Sequence, residues 1–275
     1  MREVSEITPD SEVREYLRRD PVLAAYPLGD LAPQYAPFCR WFATRDAAGG
    51  LSAIALFYTG LRTPTLLTLG DADDVDTLIG SPQLKAILPT RLYVHLPSAH
   101  LAAFQANFQV DALRPMIRMS LDRSGFLPWV PNPAAYGSLV ADPASVVRVG
   151  HGDTSDLISL YRFYPDNFFE PFQLESGFYY GYRLGGHLIS VAGVHVVSVE
   201  DDIAAIGNVV THPDHRGRGY SRVCTTRLLQ DLFNHVSTVA LNVTRDNVGA
   251  QRIYEQLGFV ERLRYLEGPV VARHG

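Results

Sequence analysis

The 275 residues, 47% hydrophobic and 19% charged with a formal net charge of -5, can bury a sizeable core and exclude a broad nucleic-acid surface, which needs clustered excess Lys and Arg. No apolar run approaches the ~18 residues that span a bilayer, and residues 1–20 lack the apolar centre of a signal peptide. Cys39 and Cys224 lie far apart in no metal or redox spacing, so a cytoplasmic protein with free thiols, no metal and no membrane partner is expected.

In chain order, residues 64–69 predict a strand, followed by the acidic turn Gly70-Asp71-Ala72-Asp73-Asp74. Residues 91–96 read as a strand, 99–106 as a helix and 114–121 as a strand. Residues 125–133 carry Pro128, Pro131 and Pro133, which resist helix and central strand alike. They mark a linker, and the chain divides into 1–124, the linker 125–141, and 142–275. Beyond it, 145–149 is a short strand, and Asp153 or Thr154 caps a helix running to about Phe163. A loop with Pro165 and Pro171 fills 164–176. Strands 178–184 and 187–199 flank the hairpin pair Gly185-Gly186. Strand 203–211, helix 223–233, strand 238–243, helix 247–257 and strand 259–266 complete the order. The strand–helix–strand at 91–121 echoes the one at 239–266. Asn107 and Gly258 sit at the same step, and both residue types tolerate a left-handed helix end. The halves therefore read as a degenerate internal repeat.

The run Thr211-His212-Pro213-Asp214-His215-Arg216-Gly217-Arg218-Gly219-Tyr220-Ser221 joins an apolar strand to an amphipathic helix. Glycines in such a turn let a ligand approach the backbone, and the helix start offers free N–H groups and a positive dipole end. A phosphorylated ligand is expected there.

Arg216-Gly217-Arg218-Gly219-Tyr220-Ser221 resembles the Q/R-x-x-G-x-G/A cofactor motif of the GNAT superfamily of acetyl-CoA-dependent N-acetyltransferases. Leu241-Asn242-Val243, Asn247, Ala250, Tyr254 and Gly258-Phe259 resemble the family's second motif, and the likeness covers about 142–267. Ser221 stands where the family usually has Gly or Ala; it is still small, and it adds a hydroxyl donor.

The resemblance implies a mixed α/β fold, a mostly antiparallel twisted sheet flanked by helices, with a second, degenerate GNAT-like unit at the N-terminus. It implies acetyl-CoA as cofactor. The backbone from Gly217 through Arg218, Gly219 and Tyr220 to Ser221 would hold the pyrophosphate, with Arg216, Arg218 and Arg222 near it. Val209, Val210 and Thr211 would pair with pantetheine, and Asn242 and Asn247 would contact the cofactor. Asn247 equally suits a helix cap. Tyr254 is the family-matched general acid; for a free tyrosine, passing a proton to a model thiolate is uphill by roughly 2 kcal/mol. A lysine-like amine at pH 7 must first lose a proton, at a cost of roughly 4.6 kcal/mol. Glu175 and His195 are the candidate bases, and a water chain without a single base is the alternative.

The expected activity is transfer of an acetyl group to a primary amine of a small molecule or peptide by direct attack in a ternary complex. A longer acyl-CoA or an amino-acid acceptor, or a CoA-binding regulatory module without turnover, remain as alternatives. In the first half three carboxylates stand where the phosphate turn would be, and would repel a pyrophosphate.

Overall fold

A computed structural model describes residues 3–130 and 141–273, so residues 131–140 of the expected linker lie outside the described residues. The chain divides into two compact units. One spans Met1–Arg118, Thr244–Asp246 and Arg262–Gly275; the other spans Met119–Val243 and Asn247–Glu261.

The first unit begins with β1 (Val4–Ile7), α1 (Ser11–Leu17) and α2 (Ala25–Asp30). Asp10 starts α1 by accepting from the N–H groups of Glu12 and Val13, as a helix start requires. Next come β2 (Cys39–Arg45), β3 (Leu51–Tyr58), β4 (Thr65–Gly70), α3 (Ala72–Gly80) and α4 (Pro82–Lys85). β5 (Arg91–Pro97), α5 (Leu101–Asn107), β6 (Phe108–Gln109) and β7 (Arg114–Asp122) follow. β3, with the run Leu-Ser-Ala-Ile-Ala-Leu-Phe-Tyr, is buried along almost its whole length. A strand so continuously apolar needs cover on both faces. On one face, Val75, Leu78 and Ile79 of α3 and Phe104 of α5 pack with Phe42, Ala53, Ala55 and Phe57. The strands run β1–β2–β3–β4–β5, and β4 and β5 pair in parallel from Thr65↔Tyr93 to Leu67↔His95.

The chain's last strand, Val260–Ala272, pairs antiparallel with β5 from Tyr265↔Pro97 to Val271↔Arg91. It outruns the expected 259–266 by passing through Gly268 and Pro269. Gly268 is required there, because an added Cβ would stand 2.6 Å from the carbonyl oxygen of Ala112. The sequence division assigns this strand to 142–275, whereas Arg262–Gly275 counts with the first unit. The reason is a long-range register, which no local pattern carries. Asn107 does not end its helix in the left-handed region; its Nδ2 donates to Ala103 O at 2.9 Å instead. Gly258 does, with φ 99°.

The second unit orders its strands β12–β11–β10–β9–β8: Thr238–Thr244, Ile203–Thr211, His187–Ser198, Tyr180–Leu184 and Val146–Arg148. Residues 119–122 of β7 count with it, and Arg123 N–H donates to Ser237 O at 2.8 Å. Its helices are α6 (Thr154–Tyr161), α7 (Tyr220–Leu232) and α8 (Val248–Gln256). α7 buries Val223, Cys224, Leu228, Leu229 and Leu232, an apolar stripe at helical spacing. It starts three residues before the expected Val223, because its first turn is polar and shows no apolar period. Both units are thus mixed, mostly antiparallel sheets with flanking helices, as the resemblance implied. No helix among the described residues is long and apolar enough to cross a membrane.

Candidate cofactor-binding site

The site begins with a defect in β11. Val191↔Val210 and Gly193↔Gly207 are paired, so Asn208 and Val209 together oppose Ala192. This β-bulge puts Asn208 at φ 53°, a conformation that asparagine accepts better than most residues. Both ends of Asn208 are held. Tyr161 donates to its carbonyl at 2.7 Å, and its Nδ2 donates to Gln173 Oε1 at 2.9 Å and to the Tyr179 hydroxyl at 2.8 Å. Tyr179 in turn donates to Val194 O at 3.0 Å. On its other edge, β11 pairs in parallel with β12 only from Ile203↔Thr238 to Ile206↔Leu241. Past Ile206 the two strands carry no pairing among the described residues, and the end of β11 splays away.

The turn after β11 follows from its glycines. Gly217 and Gly219 sit at φ 76° and 82°, and Gly219 precedes α7 with no side chain capping the helix. The first-turn N–H groups that a cap would satisfy are therefore available to a ligand. Tyr164 holds the turn to the strand by donating to Thr211 O and accepting from Arg216 at 2.8 Å. Arg216, the first residue of the motif, is thus engaged with a tyrosine.

A pocket of about 480 Å³ lies between these parts, within the range of small-molecule and cofactor sites. It is lined by Val209, Val210 and Thr211, by Arg216, Gly217, Arg218, Gly219, Tyr220, Ser221 and Arg222, and by Asn247 and Tyr254. Residues far apart in sequence are thus brought together. Asn247 caps α8, accepting from Ala250 N–H at 3.1 Å, and still lines the pocket. Tyr254 is buried, its ring edge-on to Phe259 at 5.8 Å, and its hydroxyl makes no hydrogen bond among the described residues. Burial pushes its pKa up to about 12. Among the described residues no carboxylate lines the pocket. The left-handed glycines, the uncapped helix start and this absence of negative charge suit a phosphorylated ligand.

Asn242, Glu175 and His195 do not line the pocket. Glu175 is exposed, in the 3-10 turn Pro171–Ser176. His195 lies on β10 with its ring against Gly207, where any Cβ would collide with it. Conversely, Trp129 of the proline-marked segment lines the pocket, although it reads from sequence only as linker. An isolated Trp between prolines carries no spacing, so no sequence signal marks it.

Residues 152–259 match the acetyltransferase (GNAT) family. A comparison with curated proteins finds no match. Among solved structures, a Drosophila melanogaster protein is similar with TM-score 0.69 and 11% identity, over 98% of each chain. A tandem GNAT protein from the clavulanic acid biosynthesis pathway is 17% identical with TM-score 0.59, over 99% of this chain and 98% of that one. A GCN5-related N-acetyltransferase from Sphaerobacter thermophilus is 14% identical with TM-score 0.57, over 86% of this chain and 81% of that one. At these identities the likeness concerns the fold, and the tandem protein parallels the two units seen here.

Proposed function

We propose that the protein transfers an acetyl group from acetyl-CoA to a primary amine of a small molecule or peptide, with both substrates bound together. The observation that carries this reading is the single pocket joining a splayed strand end, an uncapped left-handed glycine turn and a buried tyrosine. The first unit is read as a degenerate GNAT-like domain without its own cofactor. A cytoplasmic location accords with Cys39 and Cys224, which are both free.

The cofactor supplies an activated acyl group on a thioester. The chain's own residues do the rest. The backbone from Gly217 to Ser221 holds the pyrophosphate, Val209 to Thr211 align the pantetheine arm, and Asn247 holds the start of α8 against it. The Tyr161–Asn208–Gln173 network keeps the strand splayed, so that backbone donors stay aimed as charge develops. Tyr254, with a pKa near 12, carries its proton throughout the physiological range. Against a thiol of ~8.5, complete transfer of that proton is uphill by about 5 kcal/mol. Tyr254 therefore acts by hydrogen bonding to the departing sulfur, and gives up its proton only as the amine's proton replaces it. The base is Glu175 or His195, or a water chain that serves in their place.

The test is a screen of amine acceptors for acetyl-CoA-dependent thiol release, run beside direct CoA binding by calorimetry. Turnover with Tyr254→Phe reduced and CoA affinity kept supports the enzyme. CoA binding without turnover on any acceptor would leave a binding module.

A further inference from the structure

Trp129 belongs to neither sequence motif, yet it forms part of the pocket wall. Its position is fixed from several sides. Leu127 N–H donates to Leu257 O at 3.0 Å, Trp129 N–H donates to Thr226 Oγ1 at 3.4 Å, and Phe126 packs on Phe233 with ring centres 5.4 Å apart. The indole lies against the glycine turn: a Cβ built on Gly219 would stand 3.1 Å from its Cη2 and 3.5 Å from its Cζ2. Arg222, in the first turn of α7, places its guanidinium 5.4 Å from the ring centre. Its Nε is buried without a hydrogen-bond partner among the described residues. A buried, unanswered guanidinium nitrogen is costly unless something completes it.

Of these groups, Trp129 is the one that the proposed pyrophosphate turn does not require. The benzo edge of an indole lies against the turn, and a cation with an unused donor lies over its ring. That combination suits a heteroaromatic base carrying phosphate, since bases stack on aromatic side chains and guanidinium pairs with phosphate. We propose that Trp129 and Arg222 are binding residues for the nucleotide end of the cofactor, the indole packing against the adenine ring and Arg222 meeting a phosphate. The inference rests on the CoA reading above and adds a determinant from the segment between the two sequence halves. It makes Trp129 part of the second unit's ligand site.

The test uses the full chain and three probes: CoA, 3′-dephospho-CoA and pantetheine, which lacks the nucleotide. Affinity is read by calorimetry and tryptophan emission; Trp41, the other tryptophan, is buried in β2. CoA is expected to change the emission and pantetheine to leave it unaltered. Trp129→Ala should weaken CoA binding roughly tenfold, the scale of one base stacked on an aromatic ring, and leave pantetheine within twofold. Trp129→Phe, which keeps an aromatic face and guards against misfolding of the alanine variant, should recover most of the affinity. Arg222→Gln should weaken CoA or dephospho-CoA several-fold without touching pantetheine; a larger loss for CoA assigns the 3′-phosphate, an equal loss the pyrophosphate. Equal weakening of CoA and pantetheine by Trp129→Ala, or unchanged CoA affinity in that variant, overturns the proposal while leaving the CoA reading standing. No CoA binding by the unaltered chain overturns both.

Discussion

The two units place a helix after the strand of their parallel pair, and they use that helix start in opposite ways. In the second unit, Gly217 and Gly219 open a left-handed turn before α7, and arginines and small residues border a pocket of about 480 Å³. In the first unit β4 runs directly into α3, with Asp71 at the cap position and Asp73 and Asp74 in the first turn. Those carboxylates answer the helix dipole themselves, so an anionic ligand there would meet repulsion. The strand ends differ in the same sense. β4 and β5 also stop pairing early, after Leu67↔His95, but the space beyond is only about 20 Å³. Arg118 fills it: its guanidinium stands 5.1 Å from the rings of both Tyr26 and Tyr265 and donates to Val22 O and Leu23 O. His100 closes the turn, with Nε2 donating to Gly70 O and Nδ1 accepting from Thr68 Oγ1, each at 2.9 Å. Burial lowers its pKa, which keeps this neutral form. The splayed strand pair is therefore architecture common to both units. A binding site needs the splay left empty and its helix start left without negative charge.

The contrast can be broken at its strongest point through Tyr254, which lines the pocket of the second unit. Tyr254→Phe should lower kcat by about 10²–10⁴, the usual worth of a positioned proton donor, with the Kd for CoA unchanged. Calorimetry beside steady-state kinetics checks this. The same variant has a stability signature. A folded pKa of about 12 against an unfolded ~10 means that stability is intact below pH 10 and falls as pH rises towards 12. The loss attributable to this residue is at most about 3 kcal/mol, and Tyr254→Phe should flatten the alkaline melting curve by that amount.

Making α7 resemble α3 tests the electrostatic half of the comparison. Arg218→Asp with Ser221→Asp should weaken CoA by about 100-fold or more at low salt, with part of the loss recovered as ionic strength rises. Wild-type affinity in the double variant would show that charge at the helix start is not what separates the units. Gly219→Ala tests the backbone half: it sets a side chain at φ 82° and presses it on Trp129. About 1–2 kcal/mol of stability should be lost, with weaker CoA binding, read by thermal melts and calorimetry. The smallest effect is expected from Asn247→Ala, which removes the cap of α8 and should cost about 1 kcal/mol.

Much of the second unit was legible because its signals are local. The glycine turn, the cap at Asn247 and the position of Tyr254 on a strand–helix–strand unit depend on neighbours within a few residues. The hairpin at Gly185-Gly186 was readable for the same reason. The first unit was less so. The acidic stretch at 70–74 is visible in the sequence, but the helix it starts is not, and Arg118 and His100 act through partners that lie tens of residues away. Asn107 does not use the left-handed end that its residue type tolerates, because its side chain bonds back into its own helix instead.

Sequence alone marked the left-handed glycine turn before α7, since glycines and a helix start are properties of a short run. It also marked the acidic stretch after the strand at 64–69, although only the structure shows that this stretch starts a helix. Tertiary structure alone decided that Trp129 lines the pocket, that the last strand pairs with β5, and that Arg118 occupies the splay of the first unit. These depend on register and on which side chains converge from distant segments. Such contacts are set by packing over the whole chain and leave no periodic trace in it.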